Sequence, residues 1–230
     1  MKLDFTSQKG FSLIEILIAL LISTVIALAI LRAYVTTIHT VGNSANGAKS
    51  DGNVIFGFAT AERILQGAGF GVASPSTGSS YGQTLQAYKD GAAVELNAVA
   101  DSLVWRSGAG LCQALIISNR DNPLNVNSAT HTGSGLYYYG GTSAYSCSNL
   151  SLPSSTSTEV PQVLVPFNDI NTSLVSLRVN GTASCTPYGI SNTVNNGSGA
   201  YSVLLTANVY AGSGQTQNTV TNRTCLFNFK

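Results

Sequence analysis

The sequence predicts an α+β protein: one long N-terminal helix packed on an antiparallel, β-rich head. Three observations point there. An apolar run, Phe11–Leu31, is followed by apolar residues at helical spacing as far as Ala68. Beyond residue 71 the pattern changes to short β-branched and aromatic runs separated by Gly, Ser, Asn and Pro clusters. All four cysteines, Cys112, Cys147, Cys185 and Cys225, lie in that second part.

The composition narrows the function classes. The chain has 230 residues, of which 9% are charged, against about a quarter in an ordinary soluble domain. Eleven Lys+Arg face ten Asp+Glu, a net charge of +1. That balance argues against a nucleic-acid binder working by phosphate neutralisation and against an acidic disordered chain. Apolar residues make up 44%, enough for a core. With two His and one Met, few imidazole or soft ligands exist for a metal.

The N-terminal segment carries the sharpest signal. Phe11–Leu31 contains 21 residues, 17 of them apolar; Ser12, Glu15, Ser23 and Thr24 are the exceptions. As a helix it is about 30 Å long, the thickness of a bilayer's hydrocarbon layer. Lys2 and Lys9 precede it and Arg32 closes it. The basic leader therefore stays cytoplasmic and the remainder is exported. A secretory signal is cut after its apolar region, at a small-x-small site, and no clear Ala-x-Ala follows here. A plain membrane anchor accounts for the length but not for Glu15, since a carboxylate in such a helix costs roughly 2.5–3.5 kcal/mol.

Residues 9–16, Lys-Gly-Phe-Ser-Leu-Ile-Glu-Ile, resemble the class III leader junction of type IV pilins and type II secretion pseudopilins. The resemblance implies cleavage after Gly10 by a prepilin peptidase and N-methylation of Phe11 by the same enzyme. It makes Glu15, at the fifth mature position, the partner of a neighbouring subunit's new amine in a low-dielectric filament core. It implies a type IV pilin-like fold and partners among minor and major pilins, an inner-membrane assembly platform and, before assembly, membrane lipid. It places the chain in the inner membrane with a periplasmic head, then in a filament. Ala19, Ser23, Ala27 and Ala29 are small enough for close helix packing.

Past Arg32 the helix continues. Ala33–Val41 has no breaker, whereas Gly42–Asn53 is rich in Gly, Asn and Ser and allows a hinge or a pair of broken helices. Val54, Phe58, Ala61, Leu65 and Ala68 then fall on one face, and Gly67, Gly69 and Gly71 end it. The run Ala61–Phe70 resembles the stem end of PilW-type minor pilins, and the J-class pseudopilins share the layout. The expected organisation is a leader at 1–10, a membrane or filament-core helix at 11–31, a soluble half-stem at 32–70 and a head at 71–230.

In the head, strands are expected at Ser102–Arg106, Ala114–Asn119, Leu136–Tyr139, Gln162–Val165, Leu174–Val179, Tyr201–Tyr210 and Thr224–Phe229. Ser148–Thr158 and Ser191–Gly199 are expected as loops. Four cysteines in an exported head give two disulfides, with three pairings open. Sequence proximity favours Cys112–Cys147 and Cys185–Cys225, and the C-terminal disulfide of major pilins, by resemblance, supports the second.

No catalytic motif is found: no Gly-x-Ser-x-Gly, His-Glu-x-x-His or P-loop. An enzyme and a cofactor are therefore not expected. His39 and His131 fit solvated surface positions. Asp121–Asn127 gathers oxygen ligands but lacks the Glu and Gly of a calcium loop. Tyr137-Tyr138-Tyr139 is either an exposed adhesive patch or a strand with alternate tyrosines turned inward. The favoured function is that of a PilW-like minor pilin supporting pilus biogenesis, adhesion and twitching motility. The alternatives are a type II secretion pseudopilin and an adhesive or DNA-uptake subunit.

Overall fold

A computed structural model describes residues 10, 12–72, 79–108, 110–118, 135–141, 144–147, 149–153, 160–166, 175–185, 199–208 and 219–229. The sequence signals at Phe11, Asp121–Asn127 and His131 lie outside these residues. The chain divides into two compact units, Met1–Asn46 and Gly47–Lys230.

Helix α1 spans Leu13–Gly67. No helix end falls within Gly42–Asn53, so the alternative of two broken helices is not what the chain forms. In the first unit every described helical residue is exposed from Leu13 to Asn46, including Leu13–Leu31 of the apolar run. This is a helix long and apolar enough to cross a membrane.

In the second unit the final turns of α1 bury the periodic stripe. Phe58, Ala61, Leu65 and Ala68 are at most 2% exposed, with Val54 partly buried beside them. Gly57 allows the closest approach: a Cβ there would collide with Val165 Cγ2 and the Leu164 carbonyl. The helix stops because Gly69 and Gly71 adopt left-handed backbone, φ +76° and +74°. Gly69 is needed twice, since a Cβ would also meet the Phe229 ring.

The head comprises two antiparallel sheets. The first contains β1 (Leu85–Lys89), β2 (Ala92–Val94), β4 (Ser102–Gly108), β5 (Leu111–Ser118), β6 (Gly135–Tyr139) and β8 (Gln162–Pro166), ordered β2-β1-β4-β5-β6-β8; the two-residue β7 (Tyr145–Ser146) pairs with β5. The second is ordered β11-β10-β9-β3, with β3 Val99–Ala100, β9 Ser176–Cys185, β10 Gly199–Asn208 and β11 Thr219–Leu226. The chain passes from one sheet to the other at Asp101, between β3 and β4. That carboxylate is 7% exposed yet satisfied. It accepts the Asp90 N–H at 2.7 Å and the Ser102 hydroxyl at 2.8 Å, with Lys89 Nζ at 4.0 Å. Asp101 thereby ties the sheet-switching corner to the β1–β2 turn, where Asp90 and Gly91 both have positive φ.

The main core holds Leu103, Trp105, Leu115, Ile117 and Leu136 from the first sheet and Leu177, Val203, Leu205 and Leu226 from the second, with Phe58 and Leu65 of α1. Cys112 is bonded to Cys147 and Cys185 to Cys225. The second bond joins β9 to β11 across β10, the strand between them. It passes Gly199, where a Cβ would lie 3.1 Å from Cys225 Sγ.

Candidate functional site

The candidate site is the start of α1. Gly10 is exposed, with no atom within 4 Å of where a Cβ would stand. Ser12 precedes the first helical residue, and the Ser12 N–H donates to Glu15 Oε2 at 3.4 Å. The Ser12 carbonyl accepts from the N–H of Glu15 at 3.0 Å. Glu15 thus reaches back to an otherwise orphaned N–H, the acidic residue's half of a capping box. The Ser-x-x-Glu pattern at residues 12–15 is the sequence signal for this contact. The carboxylate also sits where the helix dipole favours negative charge.

Two other polar residues of the apolar run, Ser23 and Thr24, bond within the helix. Ser23 Oγ donates to the Leu20 carbonyl at 3.0 Å and Thr24 Oγ1 to the Leu21 carbonyl at 2.7 Å. Hydroxyls bonded to their own helix cost little in hydrocarbon. Glu15 is the one ionisable side chain between Gly10 and Leu31. The arrangement therefore presents a single carboxylate near the end of an otherwise apolar rod. It can bind a cation, such as an ammonium, in a low-dielectric setting.

Residues 5–31 match the family model described as the prokaryotic N-terminal methylation motif. The chain carries the class III leader of type IV pilin-like proteins. That motif marks structural rather than catalytic proteins, and it implies processing by prepilin peptidase and assembly with other pilins. With the apolar helix, it fits a membrane-anchored pilin or pseudopilin. No curated protein and no solved structure matches the chain.

Elsewhere the structure separates the sequence's candidates. His39 is exposed on α1. The tyrosine triplet is not an adhesive patch: Tyr137 is 3% and Tyr139 2% exposed on one face of β6, and the half-buried Tyr138 stacks on Trp105 from the other. Both faces of that strand are covered, so all three rings pack. Burial raises the phenol pKa of each, that of Tyr139 to about 12, with the nearby Tyr137 adding to it. Among the described residues no group of three or more His, Cys, Asp or Glu could hold a metal ion.

The Ala61–Phe70 run gains a physical account. Ala61, Leu65 and Ala68 are core residues. Glu62 accepts the Asn222 side-chain amide of β11 at 2.9 Å, and Gly69 makes room for Phe229.

Proposed function

We propose that this protein is a minor pilin of a type IV pilus, cut after Gly10, methylated on Phe11 and assembled through α1. The observation that carries the reading is the placing of Glu15: the Ser23 and Thr24 hydroxyls are bonded within the helix, and one carboxylate stands near the N-terminal end of an otherwise apolar run. Cleavage creates an amine at Phe11, and in the filament core the carboxylate of one subunit neutralises the amine of the next. Two apolar helices slide freely along each other; a charge pair in low dielectric fixes their axial register. In this reading the subunit primes filament growth with other minor and major pilins on an inner-membrane platform. It supports adhesion and twitching motility, and its head faces the periplasm before assembly.

A strain lacking the gene tests it. The expected result is loss of surface pili and twitching, restored by the intact gene and not by Gly10→Leu, whose product accumulates uncut. Intact piliation together with lost exoprotein secretion would contradict the pilus assignment in favour of a secretion pseudopilin.

A further inference from the structure

Alternation divides the second sheet into two faces. Leu177, Val179, Val203 and Leu205 belong to the main core. The residues between them point the other way, and two of these are arginines. Leu204 on β10 lies directly opposite Arg178 on β9 and directly opposite Arg223 on β11. Val99 on β3 continues the row beyond Arg178. Both arginines are exposed. Two strand spacings set their Cα atoms about 10 Å apart on one face. The rows beside them carry hydroxyls and amides: Ser176, Thr206 and Thr221 on one side, Asn180 and Ser202 on the other.

The positive charge on this face is not cancelled. Strands β3, β9, β10 and β11 contain no Asp or Glu. Among the described residues neither arginine pairs with a carboxylate; both ion pairs there belong to Lys89. Glu62 meets the sheet from the core side, at Asn222, which stands opposite Leu205. Arg223 is also held in place. Its Nε donates at 3.2 Å to the hydroxyl of Ser202, which is 1% exposed. The Nη groups are the part of that planar fork left for a ligand. Cys185–Cys225 ties β9 to β11, the strands that carry the two arginines, and so fixes their spacing.

The rest of the face selects among anions. A protein interface is centred on buried aromatic and large apolar anchors, whereas this row offers Leu204 and Val99. A single-stranded nucleic acid needs rings on which to stack. Tyr201, the one aromatic residue of the four strands, is buried in the core instead. Hydroxyls and amides around two guanidinium forks match a polymer that carries both carboxylates and hydroxyls. We propose that the outer face of the second sheet binds an acidic polysaccharide. Arg178 and Arg223 each grip a uronate carboxylate, and the flanking Ser, Thr and Asn side chains meet sugar hydroxyls. Each contact is weak in water, and repeated units along one polymer add to the hold. This site gives the adhesion proposed above a surface, and its test reads binding without any filament.

The full chain in nonionic detergent micelles is titrated with fluorescent polygalacturonate. Wild type is expected to bind it, more weakly as salt rises, and to ignore uncharged dextran. Arg178→Gln/Arg223→Gln is expected to lose about tenfold or more in affinity. Arg178→Lys/Arg223→Lys keeps the charge but not the fork, and is expected to fall between the two. Lys49→Gln/Arg63→Gln removes the same charge from exposed positions of α1, and is expected to change affinity by less than about twofold. No binding by wild type, undiminished binding by the Arg→Gln pair, or an equal loss in the α1 variant would overturn the site. Polyglutamate or oligo(dT) held as tightly as polygalacturonate would overturn the choice of a polysaccharide.

Discussion

The side-chain amide of Asn228 donates to the main-chain carbonyl of Ala68 at 2.9 Å and to that of Gln66 at 3.3 Å. The end of the chain thus caps the end of α1, where the last helical carbonyls lack intrahelical partners. Asn228→Ala is expected to lower head stability by about 1–2 kcal/mol. In thermal unfolding of the full chain in micelles this is a fall of several degrees. Asn228→Asp is expected to cost more: it removes the donor and sets a negative charge at the negative end of the helix.

Gly57 and Gly42 make an opposed pair. A Cβ at Gly57 would strike Val165 and the Leu164 carbonyl, whereas nothing lies within 4 Å at Gly42. Gly57→Ala is expected to destabilise the head by about 1–3 kcal/mol. Gly42→Ala is expected to stabilise the helix by about 0.5–1 kcal/mol, read as slower amide exchange over residues 38–46.

Burial raises the phenol pKa of Tyr145 further than that of Tyr139, with Tyr88 and Tyr139 adding to the shift. Both folded pKa values lie above the unfolded value of 10.0. Folding therefore favours the neutral phenols. Their contribution is fully present below pH 10 and lost as pH rises from there through about 12 and beyond. Absorbance at 295 nm is expected to show these tyrosines ionising only as the head unfolds and exposes them. Tyr139→Phe is expected to move the alkaline transition to higher pH; an unchanged midpoint would count against this burial.

Glu15 holds two roles that one substitution separates. Glu15→Gln keeps an oxygen for the Ser12 N–H but removes the charge; Glu15→Ala removes both. Both variants are expected to insert and be cut, and both to enter filaments poorly, as read by immunoblot of sheared pili. Normal assembly of Glu15→Gln would show that capping, not charge, is what the site requires.

The stem was legible because its signals are local: the apolar run, the stripe from Val54 to Ala68 and the glycines after it. Strands β4–β6, β8 and β10 were also read nearly in place. β9 extends past Asn180-Gly181 to Cys185, a pair that looks like a turn, because β10 lies alongside and supplies the pairing. β11 starts earlier than expected, at Thr219, and ends at Leu226, after which the chain turns to bury Phe229. β3 and β7 have two residues each and no periodicity to detect. β1 and β2 had a usable sign in Asp90-Gly91, a two-residue hairpin turn with positive φ at both positions. The division into two sheets, the Asp101 corner and the apolar cluster around Ile116 and Tyr145 rest on contacts between distant residues, which no local pattern carries. At the site itself, the leader motif was legible from the spacing of Gly10, Phe11 and Glu15, and the bond from the Ser12 N–H to Glu15 was readable from the Ser-x-x-Glu pattern.

The most direct test of the central claim is N-terminal sequencing of the protein extracted from membranes, paired with intact mass. The account expects a chain starting at Phe11, heavier by one methyl on its amine, with both disulfides intact. A mature chain starting at Met1, or beyond Leu31, would contradict it.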